Sequence, residues 1–364
     1  MTASGAVTTE APGRTAGQTL GEGLKGKGDN ALNALRLVLA LLVIVGHTLP
    51  IADTAWPAWM GQLGSWSVAG FFVISGYLIL GSRLRSSWWT YSIRRAARIF
   101  PGYWVQLLVV ALVLAPLATL ISPSTWTIQG AGQYIAANAS TFGLQYSLDG
   151  TVFPHFDAWN GSAWTLMYEL MAYIGCLAVF SIPWCRRHAI VTSAAALVIL
   201  GGFTIVAPYA DITTNLYLNT AYLGSYFAAG MLAHALRDHI PVRWPLIGAS
   251  TAAAIVLLAL PGGDGFAQIP IAYALLAAGV ALPVRIGSTN DISYGVYIYA
   301  FPVQQMVAML GASGALHLLA STAITVVLAI GSWHLVERPA NRGAGDLIAR
   351  IRQSLRGAAG TASS

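Results

Sequence analysis

Long apolar runs follow one another along this chain from residue 31 onward, with short polar connections between them. Each run approaches the ~20 residues that a helix needs to cross ~30 Å of hydrocarbon. The runs predict about ten spans, at about 31–50, 66–82, 100–122, 162–182, 189–208, 215–236, 245–260, 266–284, 291–311 and 315–336. The pattern therefore predicts an all-α fold, a polytopic membrane helix bundle of about ten transmembrane helices.

Composition supports this class and excludes others. The 364 residues are 56% hydrophobic and 9% charged, whereas soluble domains have roughly a quarter charged residues. The two cysteines, Cys176 and Cys185, match neither a disulfide framework nor the paired spacing of a zinc site. We therefore expect no metal and no redox chemistry. A net charge of +6 suggests nucleic acid only in a soluble protein, so no nucleic-acid partner is expected.

The positions of the basic residues predict an orientation. If the N-terminus is cytoplasmic, all 19 Lys and Arg lie on the inner side, and the outer segments contain none. Those outer segments are 51–65, 123–161, 209–214, 261–265 and 312–314. This is the positive-inside bias, and it predicts that both termini are cytoplasmic in a multi-pass protein of the cell (plasma) membrane.

The two ends differ from the middle of the chain. Residues 1–29 lack a periodic apolar face, which predicts a disordered cytoplasmic tail, and residues 30–342 form the expected transmembrane domain. Residues 343–364 predict an amphipathic helix on the cytoplasmic lipid surface. Its apolar face comprises Leu347, Ile348, Ile351 and Leu355, with Arg350, Arg352 and Arg356 directed away from it.

The first span, "RLVLALLVIVGH", carries Arg36 at its start and His47 near its outer end. Eleven helical steps turn through ~1,100°, about 20° beyond three turns, so both side chains share one face ~16 Å apart. The two residues therefore define one groove. The alternative is that Arg36 snorkels to lipid phosphates while His47 is hydrated at the opposite interface.

Three further stretches place polar groups in or beside spans. In "FFVISGYLIL", the small residues Ser75 and Gly76 permit the close approach of a helix or of a ligand. Arg95 and Arg98 share a face, and such clusters bind phosphate or anionic lipid. In "WNGSAWTLMYEL", Glu169 falls about two turns below the outer surface. A carboxylate at that depth is a functional candidate, or else a structural partner for a buried cation.

Two C-terminal stretches favour structural interpretations. Tyr294, Tyr297 and Tyr299 are typical of an aromatic girdle at a membrane interface. Glu337 and Arg338 resemble the end of a span with a local ion pair.

The order of these motifs resembles the acyltransferase-3 family of integral membrane acyltransferases. The resemblance covers residues from about 30 to 342 and rests on the spacing of Arg36 and His47 together with five further stretches. These stretches are "FFVISGYLI", "RAAR", "NGSAWTLMYE", "ISYGVYIYAFP" and "ERP". The family transfers acyl groups, often acetyl, to hydroxyls of sugars and glycoconjugates. Many relatives also carry an extracytoplasmic hydrolase-like domain after the membrane domain, and no such domain is expected here.

The resemblance implies roles for the selected residues. His47 corresponds to the family's opening histidine, which we expect to act as general base, and Glu169 is expected to orient its ring. Arg36, Arg95 and Arg98 are expected to hold the phosphates of a cytoplasmic acyl-coenzyme A, acetyl-coenzyme A above all, with Ser75 beside this co-substrate. A covalent acyl-histidine relay stays open as an alternative to direct transfer.

Two other functions compete with the transferase. Buried Arg, His and Glu also mark proton-coupled secondary transporters, although the inverted repeats typical of that class are absent from the sequence. The second competing function is that of a catalytically silent lipid or glycan carrier. The outer loop 123–161 mixes aromatic and acidic residues, which suits a carbohydrate acceptor and also suits a plain interfacial loop. The acceptor is left open among exported polysaccharide, lipid-linked sugar and glycosylated small molecule.

Overall fold

The computed structural model of the protein describes residues 18–25, 30–143, 145–287 and 290–361. Within these ranges ten helices correspond to the ten predicted spans, and no strand forms. We number them α1 Leu32–Ala52, α2 Trp59–Arg85, α3 Trp88–Val109, α4 Trp164–Val179, α5 Ala189–Val206, α6 Asn215–Ala235, α7 Trp244–Ala259, α8 Gln268–Ala281, α9 Ser293–Met309 and α10 Gly314–Ser332. The all-α polytopic bundle is therefore confirmed.

Two of the helices continue through π-helical turns. α3 passes through Val110–Leu114 and ends at Ala118, and α10 passes through Trp333–Glu337 into a C-terminal helix, Arg338–Thr361. A π turn inserts an extra residue into the helical ladder and rotates the side chains that follow it. Both long helices therefore change which face they present to the bundle along their length.

The helices differ in length and in apolar composition. Among the described residues, five continuous helical stretches are long and apolar enough to cross a membrane, and α4, α7 and α8 are shorter apolar helices. α6 and α9 belong to neither group. Nearly all of α9 is buried inside the bundle, where it contacts side chains instead of lipid, so it accommodates the polar Gln304 and Gln305.

Glycines bring three helices into close contact. A Cβ added at Gly76 on α2 would overlap the carbonyl oxygen of Phe227 on α6, and one added at Gly230 would overlap the carbonyl oxygen of Val73. The backbones of α2 and α6 therefore touch directly, as small residues permit in membrane bundles. Near the other end of α2, a Cβ at Gly46 of α1 would lie 2.6 Å from the backbone nitrogen of Gly64. Gly76, which follows Ser75, therefore serves the close packing of helices.

The structure differs from expectation just before α1. Thr19 and Glu22 form a capping box at a short helix, Leu20–Gly23, and Leu20 is fully buried. The Leu20 N–H donates to the Ile240 carbonyl at 3.0 Å. Composition could not reveal this docking, because its partner lies more than 200 residues away. The rest of the predicted tail, 1–17 and 26–29, lies outside the described residues.

The C-terminal helix packs on the bundle beside α3. Ile348, expected on a lipid-facing stripe, is 3% exposed, whereas Leu347 and Leu355 are exposed. The predicted apolar face is therefore divided, with Ile348 directed toward protein and Leu347 and Leu355 exposed. Arg352 does not lie away from this face as predicted, because it follows Ile348 by one helical turn.

Candidate active site

A cavity of about 850 Å³ lies between α1, α2, α3, α4, α9 and the C-terminal helix. Five residues selected from the sequence line it: Arg36, Ser75, Arg95, Arg98 and Glu169. They come from four different helices, so the bundle gathers at one place groups that are up to 133 positions apart in the chain.

An ion cluster occupies one wall of the cavity. The Arg36 guanidinium contacts Asp291 Oδ2 at 2.6 Å, and that of Arg98 contacts the same oxygen at 2.9 Å. Arg98 also contacts Glu337 Oε2 at 3.4 Å. The Ser293 hydroxyl donates to the other Asp291 oxygen at 2.6 Å. The two arginines are therefore held side by side by one shared carboxylate.

Asp291 precedes α9 and was not selected from the sequence. Burial disfavours its charged form, but Arg36 and Arg98 outweigh that effect and hold the pKa of Asp291 well below its ordinary value. The only signal in the sequence was a lone carboxylate just before an apolar run. Its partners are 193 and 255 positions away, so no local pattern connects it to them.

Glu337 has a different partner from the one predicted. The sequence suggested a local pair with Arg338, but the Glu337 carboxylate contacts Arg98 and accepts a hydrogen bond from Ser332 at 3.1 Å. Glu337 is 1% exposed, and it ends the π-helical turn at Trp333–Glu337. The extra residue of the π turn rotates Glu337 away from the direction that a regular α-helix would give it.

Glu169 and Arg95 meet around Tyr173. The Tyr173 hydroxyl donates to Glu169 Oε1, and the Arg95 guanidinium lies 5.8 Å from the centre of the Tyr173 ring. Within the described chain Arg95 makes no ion pair, and its Nε is buried without a hydrogen-bond partner. Tyr173 follows Glu169 by one helical turn, a spacing that could have identified it. Among the described residues Glu169 makes no ion pair with Arg36, which pairs with Asp291 instead.

His47 lies apart from this group. It is not among the residues that line the cavity, and its ring makes an edge contact with Phe301, 5.1 Å between centres. Its Nδ1 is buried and has no hydrogen-bond partner in the described part of the chain. Tyr297, four residues before Phe301, is the last residue of α9 that lines the cavity, and it contacts Phe71 and Thr165. The cavity therefore ends about one helical turn, ~6 Å along α9, before the level of His47.

The three tyrosines of α9 are not an interface girdle, contrary to expectation. Tyr294, Tyr297 and Tyr299 are all buried. The Tyr294 hydroxyl donates to the Ile99 carbonyl at 2.7 Å, and the Arg98 guanidinium lies 5.3 Å from the centre of the Tyr294 ring. Tyr294 and Tyr297 line the cavity, whereas Tyr299 does not; all three are buried because α9 is enclosed by other helices.

The outer loop forms a folded cap. It contains a helix, Ile128–Asn138, and Trp159 is fully buried with its indole N–H donating to Thr151 at 3.0 Å. Exposed polar or aromatic groups remain at Tyr146, Asp149, His155 and Asp157. An acceptor that binds this cap meets those four side chains and not Trp159.

Positive charge surrounds the rest of the cavity. Lys25, Arg85, Arg94 and Arg352 join the three selected arginines, while Glu169 and Asp291 are the carboxylates that line it among the described residues. No group of three or more His, Cys, Asp or Glu side chains in those residues is arranged to hold a metal ion.

Comparisons with known proteins add an independent line of evidence. An acyltransferase-3 model, described as "Acyltransferase domain", matches residues 29–335. A relative described as "Nodulation protein 10" from Rhizobium leguminosarum bv. viciae is 28% identical over 361 residues, 88% of this chain and 95% of the relative. An "O-acetyl transferase" from Shigella phage Sf6 is 27% identical over 333 residues, 85% of this chain and 95% of that protein. No solved structure matches.

Proposed function

This chain belongs to the acyltransferase-3 family and is a membrane O-acyltransferase; we propose that it moves an acyl group, most simply acetyl, from acyl-coenzyme A to a hydroxyl of a sugar or glycoconjugate. The observation that carries the choice of donor is the excess of cations around the cavity. Seven Lys and Arg side chains line it against two carboxylates. Arginine forks bind phosphate with two parallel hydrogen bonds, and coenzyme A is an acyl carrier that bears phosphates.

The ion pairs suggest a division of labour among the arginines. Arg36 and Arg98 already share Asp291, so they form a preorganised wall with reduced net charge. Arg95 has no such carboxylate among the described residues and lies beside Ser75 in the same cavity. Arg95 and its neighbours Arg85 and Arg94 are the best placed to take donor phosphates, while Arg36 and Arg98 contact the donor nearer the cluster.

The direction of entry follows from the charge distribution. All Lys and Arg lie in segments that the positive-inside bias assigns to the cytoplasm, and the charged end of the cavity belongs to those segments. The acyl donor therefore enters from the cytoplasm, and the plasma membrane is the proposed location. The thioester then points along α1 toward His47, at the opposite end of that helix.

His47 is the proposed general base. The acceptor oxygen attacks the thioester carbonyl carbon while its proton passes to the imidazole. The carbon–sulfur bond then breaks, and the coenzyme A sulfur takes that proton as it leaves. Such proton transfer contributes typically 10²–10⁴-fold to rate. His47 does not line the cavity, and Tyr297 lies one helical turn from the Phe301 that contacts His47, so we expect rings in this region to move for the thioester to reach it.

Glu169 has a modified role in this proposal. Its observed partner is Tyr173, and the structure gives no contact between Glu169 and His47. Glu169 lines the path of the donor beyond the arginines, where its charge and the Tyr173 hydroxyl orient the pantetheine arm or stabilise the protonated imidazole after the rings move. The acceptor reaches His47 from the outer side, across the exposed groups of the loop cap.

A transfer assay tests this proposal. Membranes that contain the protein are incubated with radiolabelled acetyl-coenzyme A and a cell-envelope extract, beside membranes with His47→Ala or with His188→Ala. His188 is exposed and serves as the matched control. We expect labelled glycan with the unmodified protein and with the control but not with His47→Ala. Equal labelling by both variants would remove His47 from the chemistry, and Glu169-dependent solute uptake without labelling would favour a transporter.

A further inference from the structure

One stripe of the C-terminal helix faces the cavity. Asn341, Gly345 and Arg352 line it, and Ile348, within the same stripe, is buried against the bundle. The spacings of four, three and four residues keep all four positions within a narrow sector of an α-helix. Packing of Ile348 therefore fixes the rotation of the helix and directs Arg352 over the cavity.

The surroundings of Arg352 indicate a ligand and not an internal partner. Arg352 makes no hydrogen bond or ion pair with the described residues, and Arg85, Arg94 and Lys25 also line the cavity. The two carboxylates in the lining do not compensate it, because Asp291 is shared by Arg36 and Arg98 and Glu169 accepts from Tyr173. Like charges around one opening repel each other unless an anion lies between them.

Lys25 lines the same cavity from the other end of the chain. It follows the short helix whose Leu20 is buried against the bundle, so its backbone is anchored near the cavity. Both Lys25 and Arg352 fall outside residues 29–335, the part of the chain that matches the family model. Neither residue therefore belongs to the region that the family model describes, although both line the same cavity as the cations within it.

We propose that Arg352, assisted by Lys25, binds a phosphate group of the acyl donor at the cavity mouth, so that the two chain ends complete the donor site. This inference rests on the proposed coenzyme A donor. It predicts that the C-terminal helix governs donor affinity and leaves the chemical step unchanged, because a phosphate held by Arg352 takes no part in the bond changes at the thioester.

The experiment compares two arginines of one helix. Arg350 is exposed and two positions from Arg352, about 200° around the helix, so Arg350→Gln removes the same charge from the face directed away from the cavity. Purified full-length protein, Arg352→Gln and Arg350→Gln are titrated with radiolabelled acetyl-coenzyme A and with acetyl-pantetheine, which carries no phosphate. Binding and the transfer parameters KM and kcat are measured at low and moderate salt.

We expect Arg352→Gln to weaken acetyl-coenzyme A binding and raise its KM roughly three- to tenfold, the range of one exposed to half-buried charged contact. Arg352→Gln should leave kcat and the binding of acetyl-pantetheine unchanged, and Arg350→Gln should behave like the unmodified protein. Lys25→Gln should weaken acetyl-coenzyme A binding in the same way but by less. Equal affinities for Arg352→Gln and Arg350→Gln would overturn the inference while leaving the proposed function intact. Failure of the unmodified protein both to bind acetyl-coenzyme A and to use it would overturn the inference and the proposed donor together.

Discussion

Asp291 provides the sharpest prediction about the architecture of the site, because one carboxylate oxygen contacts two arginines. Asp291→Asn keeps the shape of the side chain and removes its charge, so Arg36 loses its carboxylate partner and Arg98 keeps only its 3.4 Å contact with Glu337. The side chains of Asp291, Arg36 and Arg98 are 16%, 19% and 17% exposed, respectively. These ion pairs therefore resemble buried pairs more than surface pairs.

The expected loss lies between two measured limits. Removing one partner of a buried pair costs about 3–5 kcal/mol, whereas exposed pairs contribute about 0–1 kcal/mol. For side chains exposed by less than one fifth we expect Asp291→Asn to lower the free energy of unfolding by about 2–3 kcal/mol. Ser293→Ala removes one hydrogen bond to the same carboxylate and should cost about 1 kcal/mol.

A double-mutant cycle measures the interaction itself. Unfolding of detergent-solubilised protein is followed for Asp291→Asn, Arg36→Gln and the pair. The double variant should be more stable than the sum of the two single losses implies, with a coupling of about 1–3 kcal/mol, because removal of Arg36 relieves the repulsion that Asp291→Asn creates. Additivity within about 0.5 kcal/mol would refute the view that the shared carboxylate holds the arginines together.

Three further outcomes follow from the packing and from the cavity. Gly76→Val should sharply lower the yield of monodisperse protein in size-exclusion chromatography, because the added side chain overlaps the Phe227 carbonyl. Gly248→Val should not lower the yield, because a Cβ at that position meets no neighbour. Tyr173→Phe should reduce the transfer rate about tenfold, the effect of one charged hydrogen bond of about 1.5 kcal/mol; an unchanged rate would remove Tyr173 from the site. Glu169→Gln should lower kcat at least about 100-fold with acetyl-coenzyme A affinity kept within a factor of two, and a lost affinity with normal kcat would contradict its placement beyond the donor phosphates.

The spans were predictable because lipid imposes a simple rule. A segment that faces hydrocarbon must be apolar over a fixed length, so local composition was sufficient to locate all ten helices. The same rule failed for the tyrosines of α9. A helix enclosed by protein can carry polar and aromatic groups anywhere along its length, and enclosure is not visible in the segment itself.

The candidate site was only partly predictable for a related reason. Arg36, Arg98 and Glu169 stand out because charge in an apolar run is costly and needs an explanation. Their partners do not stand out, since Asp291 lies outside a helix and Tyr173 resembles any other aromatic residue of a span. Helix geometry predicted one groove for Arg36 and His47, but only Arg36 lines the cavity, and the helix alone could not show that the His47 ring packs against Phe301. These relations arise from packing between distant segments.

The central claim is that the charged cavity receives the acyl donor, and thiol protection at Ser75 tests it most directly. A Ser75→Cys variant is prepared with Cys176 and Cys185 replaced, so that its single thiol lines the cavity. We expect a membrane-impermeant maleimide to label this thiol, and saturating acetyl-coenzyme A to slow labelling severalfold. A cysteine at His188, which is exposed and does not line the cavity, should be labelled at the same rate with and without acetyl-coenzyme A. An unchanged labelling rate at Ser75→Cys, in protein that still transfers acetyl groups, would contradict the account, because the donor would then bind elsewhere.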